Sequence, residues 1–308
     1  MSQCSGHLYI PYEIIEILPK ELGYLITKFD EKQKQPIEEI RLRSGRAPSA
    51  VIGNCDIIMP YSPVNQTTVM PNILTGIIER ATRFSIHSFS ENISRGFITL
   101  PKGHRIGICG TGIMKDNSVS SVRNFSSISI RIAREIKGAS KMVIPELLDG
   151  ERFKNTLIIS PPGAGKTTFL RDIVRTISNS PKYKIAVADE RCEIAAMENG
   201  MPGFDIGQRC DIVDGCRKSF AIMMLMRSMS PDIIAMDEIT ESEDIDALSD
   251  AANCGIGLIA TAHARDVDDL LKRPVYKSLM AREIFEKIVC ISLNGGIREY
   301  KTTDVKKE

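Results

Sequence analysis
The chain has 308 residues, enough for two domains of ordinary size, and its 43% hydrophobic and 26% charged content fits a globular chain able to bury a core. Its formal net charge of +1 gives no global electrostatic case for nucleic acid or an anionic membrane as a partner. Eight cysteines stand at 4, 55, 109, 192, 210, 216, 254 and 290 without a Cys-x-x-Cys pair, which argues against structural zinc and for buried thiols in a reducing compartment.

The N-terminus is polar and carries two early prolines, Pro11 and Pro19, where a secretory signal would need an apolar core. No run of ~18 apolar residues occurs, so no membrane span is expected and a cytoplasmic protein is the simplest reading. The first part of the chain reads as α+β. A helix is expected around Tyr12–Leu18 and a second, polar one after Lys20. Glu39-Ile40-Arg41-Leu42-Arg43 alternates strictly, as a half-buried strand does. Val51–Met59 reads as another strand, Ile73–Arg83 as a helix, and Gly96–Gly112 as a glycine-bounded hairpin. Ser127–Ile132 alternates again, with Ile128, Ile130 and Ile132 opposite Ser127, Ser129 and Arg131. Gly138-Ala139-Ser140 and Asp149-Gly150 bracket an expected linker over 139–152, between an N-terminal domain (1–138) and a second domain (153–308).

That second domain alternates strand and helix. Strands are expected at Leu157–Ser160, Ile185–Asp189, Ile233–Asp237, Gly257–Thr261 and Ile288–Leu293, and helices at Lys166–Ser178, Lys218–Met229 and Glu243–Cys254. Short apolar runs separated by helices imply an α/β fold with a parallel sheet covered on both faces. The methionines 223, 224, 226 and 229 are read as core.

Thr156-Leu157-Ile158-Ile159 runs into Ser160-Pro161-Pro162-Gly163-Ala164-Gly165-Lys166-Thr167-Thr168 and then into an amphipathic helix. Strand, glycine loop and helix in that order are the context a Walker A phosphate loop requires. Gly163 and Gly165 let backbone N–H groups turn inward around phosphates, and Lys166 brings a point charge to the β and γ phosphates. The Thr167 hydroxyl reaches Mg²⁺, and the helix N-terminus adds its positive end. Ser160 stands where the motif usually has its first glycine, a position that needs a turn more than a missing side chain.

Ile233-Ile234-Ala235-Met236-Asp237-Glu238 is an apolar strand ending in two carboxylates, the Walker B pattern. Asp237 is expected to hold Mg²⁺ and Glu238 to orient or deprotonate the attacking water. An Asp-Glu pair after an apolar strand also occurs simply where a helix starts. The Glu beside the Asp indicates a RecA-like ATPase, in which a later strand tip carries a polar sensor. Gly257–Ala264 supplies Thr261 or His263 for that role. Asp189-Glu190 closes another strand and could contact Mg²⁺ or water, or equally form the N-cap of a following helix with the Glu in support.

Asp189-Glu190-Arg191, Arg227-Ser228-Met229-Ser230-Pro231-Asp232 before the second carboxylate motif, and Thr261-Ala262-His263-Ala264 together resemble the secretion ATPase superfamily of type II and type IV secretion and type IV pili. More narrowly, Ile40-Arg41-Leu42-Arg43-x-Gly45-Arg46, Gly103–Gly110 and Ile130-Arg131-Ile132-Ala133-Arg134 resemble the stage III sporulation AA family of endospore-forming bacteria. That resemblance implies ATP and Mg²⁺ as cofactors and a hexameric ring of the chain with itself. It also implies an N-terminal domain that caps the nucleotide site and lends arginines to the γ-phosphate. In sporulation it implies a motor energising membrane-embedded channel proteins, peripheral to the membrane through those partners. Arg131 lies on the polar face of its strand, Arg105 in a glycine hairpin and Arg134 just before the linker, so each is a candidate. An arginine delivered in trans raises phosphoryl-transfer rates ~10³-fold or more; the plainer reading is a solvated strand charge. No tetracysteine module and no basic, aromatic-interleaved patch accompany these motifs, so no nucleic-acid partner is expected. The competing readings are a RecA-like nucleic-acid motor and a nucleotide-gated switch with little turnover.

Overall fold
Ile40 and Leu42 are fully buried while Glu39, Arg41 and Arg43 remain partly open, so the alternating segment forms the half-buried strand β1 (Glu39–Arg43). In a computed structural model the described residues are 10–53, 55–59, 68–82, 96–294 and 297–305, in two compact units, Met1–Ala133 and Arg134–Glu308. Cys4 and Arg83 lie outside the described residues.

In the first unit, helices α1 (Tyr12–Ile17), α2 (Lys20–Asp30) and α3 (Pro71–Ala81) accompany an antiparallel sheet. Its strands are β1, β2 (Ser49–Ile52), β3 (Cys55–Ile58), β4 (Phe97–Thr99), β5 (Arg105–Lys115) and β6 (Ser118–Arg131), in the order β3-β2-β1-β6-β5-β4. Ile14, Ile26 and Ile77 of the helices share one core with Ile40, Leu42, Ile106 and Ile130 of the strands. Each such aliphatic contributes about 1.5–3 kcal/mol by leaving water. The helix after Lys20 is amphipathic rather than simply polar, since Leu22, Ile26 and Phe29 are buried.

One expectation is corrected here. Val51–Met59 is not one strand: Gly53, at φ +54°, turns the chain so that β2 and β3 pair antiparallel. The hairpin expected over Gly96–Gly112 is present, with β4 paired antiparallel to β5, and β5 continues to Lys115 to form a second hairpin with the 14-residue β6. The turn of that second hairpin is Asp116-Asn117, both with positive φ, the geometry that two-residue hairpin loops favour. Register places Glu39, Arg131 and Arg105 in one row across β1, β6 and β5.

The second unit is built on a seven-stranded sheet, β13-β10-β14-β15-β9-β16-β17. Two short hairpins, β7–β8 (Leu148–Asp149, Arg152–Phe153) and β11–β12 (Met197–Glu198, Met201–Pro202), lie outside it. The sheet strands are β9 (Thr156–Ser160), β10 (Ile185–Asp189), β13 (Cys210–Asp214), β14 (Ile233–Met236), β15 (Gly257–His263), β16 (Lys287–Asn294) and β17 (Ile297–Asp304). All pair in parallel except β17, which returns antiparallel to β16. Helices α4 (Lys166–Ser178), α5 (Lys218–Ser228), α6 (Ser242–Asn253), α7 (Val267–Leu271) and α8 (Pro274–Ala281) complete it. Every residue of β9, β10 and β14 is buried, which is why they read as continuous apolar runs rather than alternating ones.

The segment expected as a linker, 139–152, carries Val143 and Leu147 into the core formed by Ile158, Phe169 and Val289. Asp172 of α4 fixes its start, accepting from the Gly138 N–H at 3.0 Å, the Ser140 N–H at 2.8 Å and the Ser140 hydroxyl at 2.7 Å. Of the methionines expected in the core none is fully buried, and only Met226 packs against it among the described residues. Ala221, Ile222 and Leu225 take the inner face of α5, leaving Met224 56% and Met229 42% exposed and Met223 and Met226 half-buried. The cysteines also depart from expectation. Among the described residues Cys55, Cys109 and Cys254 are exposed and the other four are intermediate.

Candidate active site
Gly163 and Gly165 have φ of +78° and +96°, conformations that L side chains rarely adopt, and Gly165 caps the start of α4. The loop from β9 to α4 therefore turns its backbone toward the helix N-terminus, as an anion cradle does. Pro161 accepts the Ser160 hydroxyl at 2.7 Å and the Ala164 N–H at 3.4 Å through its carbonyl. The serine that replaces the usual glycine is thus buried and bonded to its own loop. Pro162 lies between them, and Thr168 occupies the first turn of α4 beside Lys166 and Thr167.

Lys166 is 7% exposed. Its Nζ lies 2.7 Å from His263 Nδ1 and 3.4 Å from the Ser160 hydroxyl. Burial lowers its pKa from the ordinary 10.5, while the charges of Asp237 and Glu238 oppose that shift. His263 is lowered as well, first by burial and then by the Lys166 cation, with Glu238 pulling the other way. An imidazole that accepts from an ammonium at Nδ1 must carry its proton on Nε2. That atom faces Glu238 Oε1 at 3.4 Å.

The group around Asp237 is equally close-knit. Thr167 donates to Asp237 Oδ2 at 2.8 Å, and Thr261 donates to Asp237 Oδ1 at 2.6 Å. The Glu238 N–H reaches the Thr261 hydroxyl at 2.9 Å and Asp237 Oδ1 at 3.0 Å. These bonds hold Glu238 at φ +24°, a strained backbone for a residue with a side chain. A hydroxyl and a carboxylate side by side at a helix N-terminus are hard oxygen donors. They suit Mg²⁺, which binds through few protein ligands and keeps waters and phosphate oxygens for the rest.

Asp189 is placed beside this group but is otherwise engaged. Its carboxylate accepts the N–H groups of Glu193, Ile194 and Ala195 at 2.9 to 3.2 Å. Burial pushes its pKa up to about 6 against those hydrogen bonds. Arg171 of α4 completes the same anchorage by donating to the carbonyls of Ile194 and Glu193, both at 2.6 Å, while stacking on Phe204 at 3.7 Å. Glu190 accepts from Lys218 at 2.8 Å. The expected helix N-cap is corrected: β10 is followed by an irregular segment leading to β11, and the Asp189 carboxylate holds the backbone of that segment instead.

The arginines separate. Arg131 is exposed at the end of β6, and Arg105, its neighbour in register, lies over the Phe97 ring at 3.7 Å. Arg134 belongs to the second unit, where its carbonyl accepts from Arg171 at 3.3 Å. Two further residues reach the site to which no role was assigned from the sequence. Arg191 Nη1 lies 3.5 Å from Glu238 Oε2, and Arg298 of β17 donates to the Ala164 carbonyl at 2.9 Å. Arg191 follows directly on Asp189-Glu190, a signal in plain view; Arg298 comes from a strand that was not expected.

The family model for sporulation stage III, protein AA matches residues 11–303. The chain belongs to that family. Stage III sporulation protein AA of Bacillus subtilis (strain 168) is 35% identical over 288 residues, covering 92% of each chain. Among solved structures, the Legionella pneumophila ATPase DotB superposes with a TM-score of 0.61 at 12% identity, covering 96% of this chain and 82% of DotB. The pilus retraction motor PilT with bound ADP gives 0.60 at 16% identity, covering 96% and 84%. At such identities these likenesses concern the fold alone. This member of the sporulation stage III AA family therefore has an α/β, RecA-like fold like that of the ATPase DotB and the pilus retraction motor PilT. Among the described residues, no helix is long and apolar enough to cross a membrane.

Proposed function
We propose that the chain binds ATP with Mg²⁺ at this site and hydrolyses it. The observation that carries the reading is the convergence of Lys166, Thr167, Asp237, Glu238 and His263 from α4, β15 and the end of β14. Lys166 and the backbone N–H groups of Gly163 to Thr168 bind the phosphates, and Thr167 and Asp237 hold the metal. When bound, Mg²⁺ would supply positive charge to offset that of the phosphate oxygens. Glu238, between His263 and Arg191, takes the proton of the attacking water as its oxygen bonds to the γ-phosphorus and ADP leaves. His263 holds Glu238 through Nε2 and Lys166 through Nδ1, so it is suited to report γ-phosphate arrival from one to the other.

The hydrolysis powers a ring of identical chains, a hexamer, that energises a membrane-embedded channel in endospore formation. Family membership and the motor fold support this reading, and so does the row of Arg131 and Arg105 on the polar face of the N-terminal sheet. In the ring the N-terminal unit caps the site and one of these arginines, or Arg134, contacts the γ-phosphate from a neighbour. Sedimentation mass and ATPase rate measured on the same sample, with and without ATP, test it. An ATP-stabilised oligomer carrying the activity is expected; a fully active, strictly monomeric chain would remove the trans-arginine role.

A further inference from the structure
β17 is the antiparallel edge strand of the ATPase sheet, yet its side chains close on the phosphate loop. Arg298 Nε rests on the Ala164 carbonyl at 2.9 Å, so close to the loop that a Cβ built on Gly165 would meet it at 3.1 Å. Two residues on, Tyr300 stacks on Phe169 of α4 with ring centroids 4.6 Å apart and planes 18° apart. Between this strand and the segment after residue 134 lies a cavity of about 350 Å³. Ile136, Gly138, Gly165, Thr168, Arg298 and Tyr300 line it. Its volume falls in the usual range of small-ligand sites, roughly 300–1,000 Å³. Its far wall is stiff, because Asp172 fixes the backbone N–H groups of Gly138 and Ser140.

A phosphate loop imposes an order on what it holds: the lysine reaches the β and γ phosphates, and the loop backbone cradles the α and β phosphates. In this chain the γ side is marked by Lys166, Glu238 and His263, none of which lines the cavity. Gly165 and Thr168 do line it, so it opens where the α-phosphate would lie and where a nucleoside must continue. From these juxtaposed features we infer that the cavity between β17 and residues 136–138 receives the ribose and base of the nucleoside triphosphate. Tyr300 supplies an aromatic surface for the base and Arg298 a polar edge beside the loop. The inference rests on the nucleotide-binding reading given above. It makes β17, remote in sequence from both phosphate motifs, a determinant of which triphosphate is bound.

The test compares two ligands that share phosphates and differ in the nucleoside: Mg²⁺-ATP and Mg²⁺-tripolyphosphate, titrated against the full chain. The variants are Tyr300→Leu, which removes the ring, and Ile136→Trp, which fills the mouth of the cavity from a side chain that is already 43% exposed. The wild type is expected to bind ATP more tightly than tripolyphosphate. A loss of ATP affinity of roughly tenfold, with tripolyphosphate affinity unchanged, in either variant is the expected result, the size being that of one base–aromatic stack. Unchanged ATP affinity in both variants, or equal losses for both ligands in both, would overturn the nucleoside pocket while leaving the phosphate loop intact. A wild type that binds neither ligand would overturn the nucleotide reading itself.

Discussion

Lys166 and His263 share one short contact, and burial together with that contact disfavours a charged imidazole. Because the ammonium occupies Nδ1, a second proton there would place two cations 2.7 Å apart in a buried site. Burial and the Lys166 charge accordingly lower the His263 pKa from 6.5. The linkage has a definite sign. Above pH 6.5 the ring is neutral whether the chain is folded or not. As pH falls from 6.5 through the lower folded value, the unfolded chain takes up the proton more readily, and stability is lost. Wild type is expected to lose stability faster than His263→Asn as pH falls below 6.5, read as urea midpoints. Parallel pH profiles would contradict the assignment. Lys166, Thr167, Asp237 and Glu238 were legible in the sequence because each sits in a local strand-to-loop signal. Arg298 was not, because its contact with Ala164 spans 134 residues and depends on which strand lies at the sheet edge.

At the scale of elements, α4 does two things. Its N-terminus frames the glycine loop, and Asp172, nearly two turns on, fastens the chain that enters the second unit. Burial raises the Asp172 pKa, but the hydrogen bonds from Ser140, Arg175 and Gly138 outweigh it and hold the net value below the ordinary one. Asp172→Ala should therefore destabilise the second unit by about 3 kcal/mol, since it strands several donors at once. Chemical denaturation followed by a probe in that unit measures it, and a loss under about 1 kcal/mol would show that the segment is held by its apolar residues instead. The buried strands β9, β10 and β14 were readable as apolar runs. β13 and β17 were passed over, because edge strands such as Ile297-Arg298-Glu299-Tyr300-Lys301 carry charges and lack such a run. The methionine helix misled for a related reason: apolar content identifies a helix that packs, and only the positions of Ala221, Ile222 and Leu225 say which face does so.

For the whole molecule, the α+β and RecA-like units could be anticipated from the change of pattern along the chain. The segment expected between them proved to be part of the second unit's core. Its apolar residues are spaced irregularly, and what fixes them is Asp172, a partner more than thirty residues away in sequence. The central claim is that the intact chain turns over ATP through Glu238 rather than merely holding it. The most direct measurement pairs an ATP-binding titration with phosphate release, for wild type and Glu238→Gln, under the same Mg²⁺ concentration. Equal binding with release slowed about 10²-fold or more in the variant is expected. Phosphate release from Glu238→Gln at the wild-type rate would contradict it.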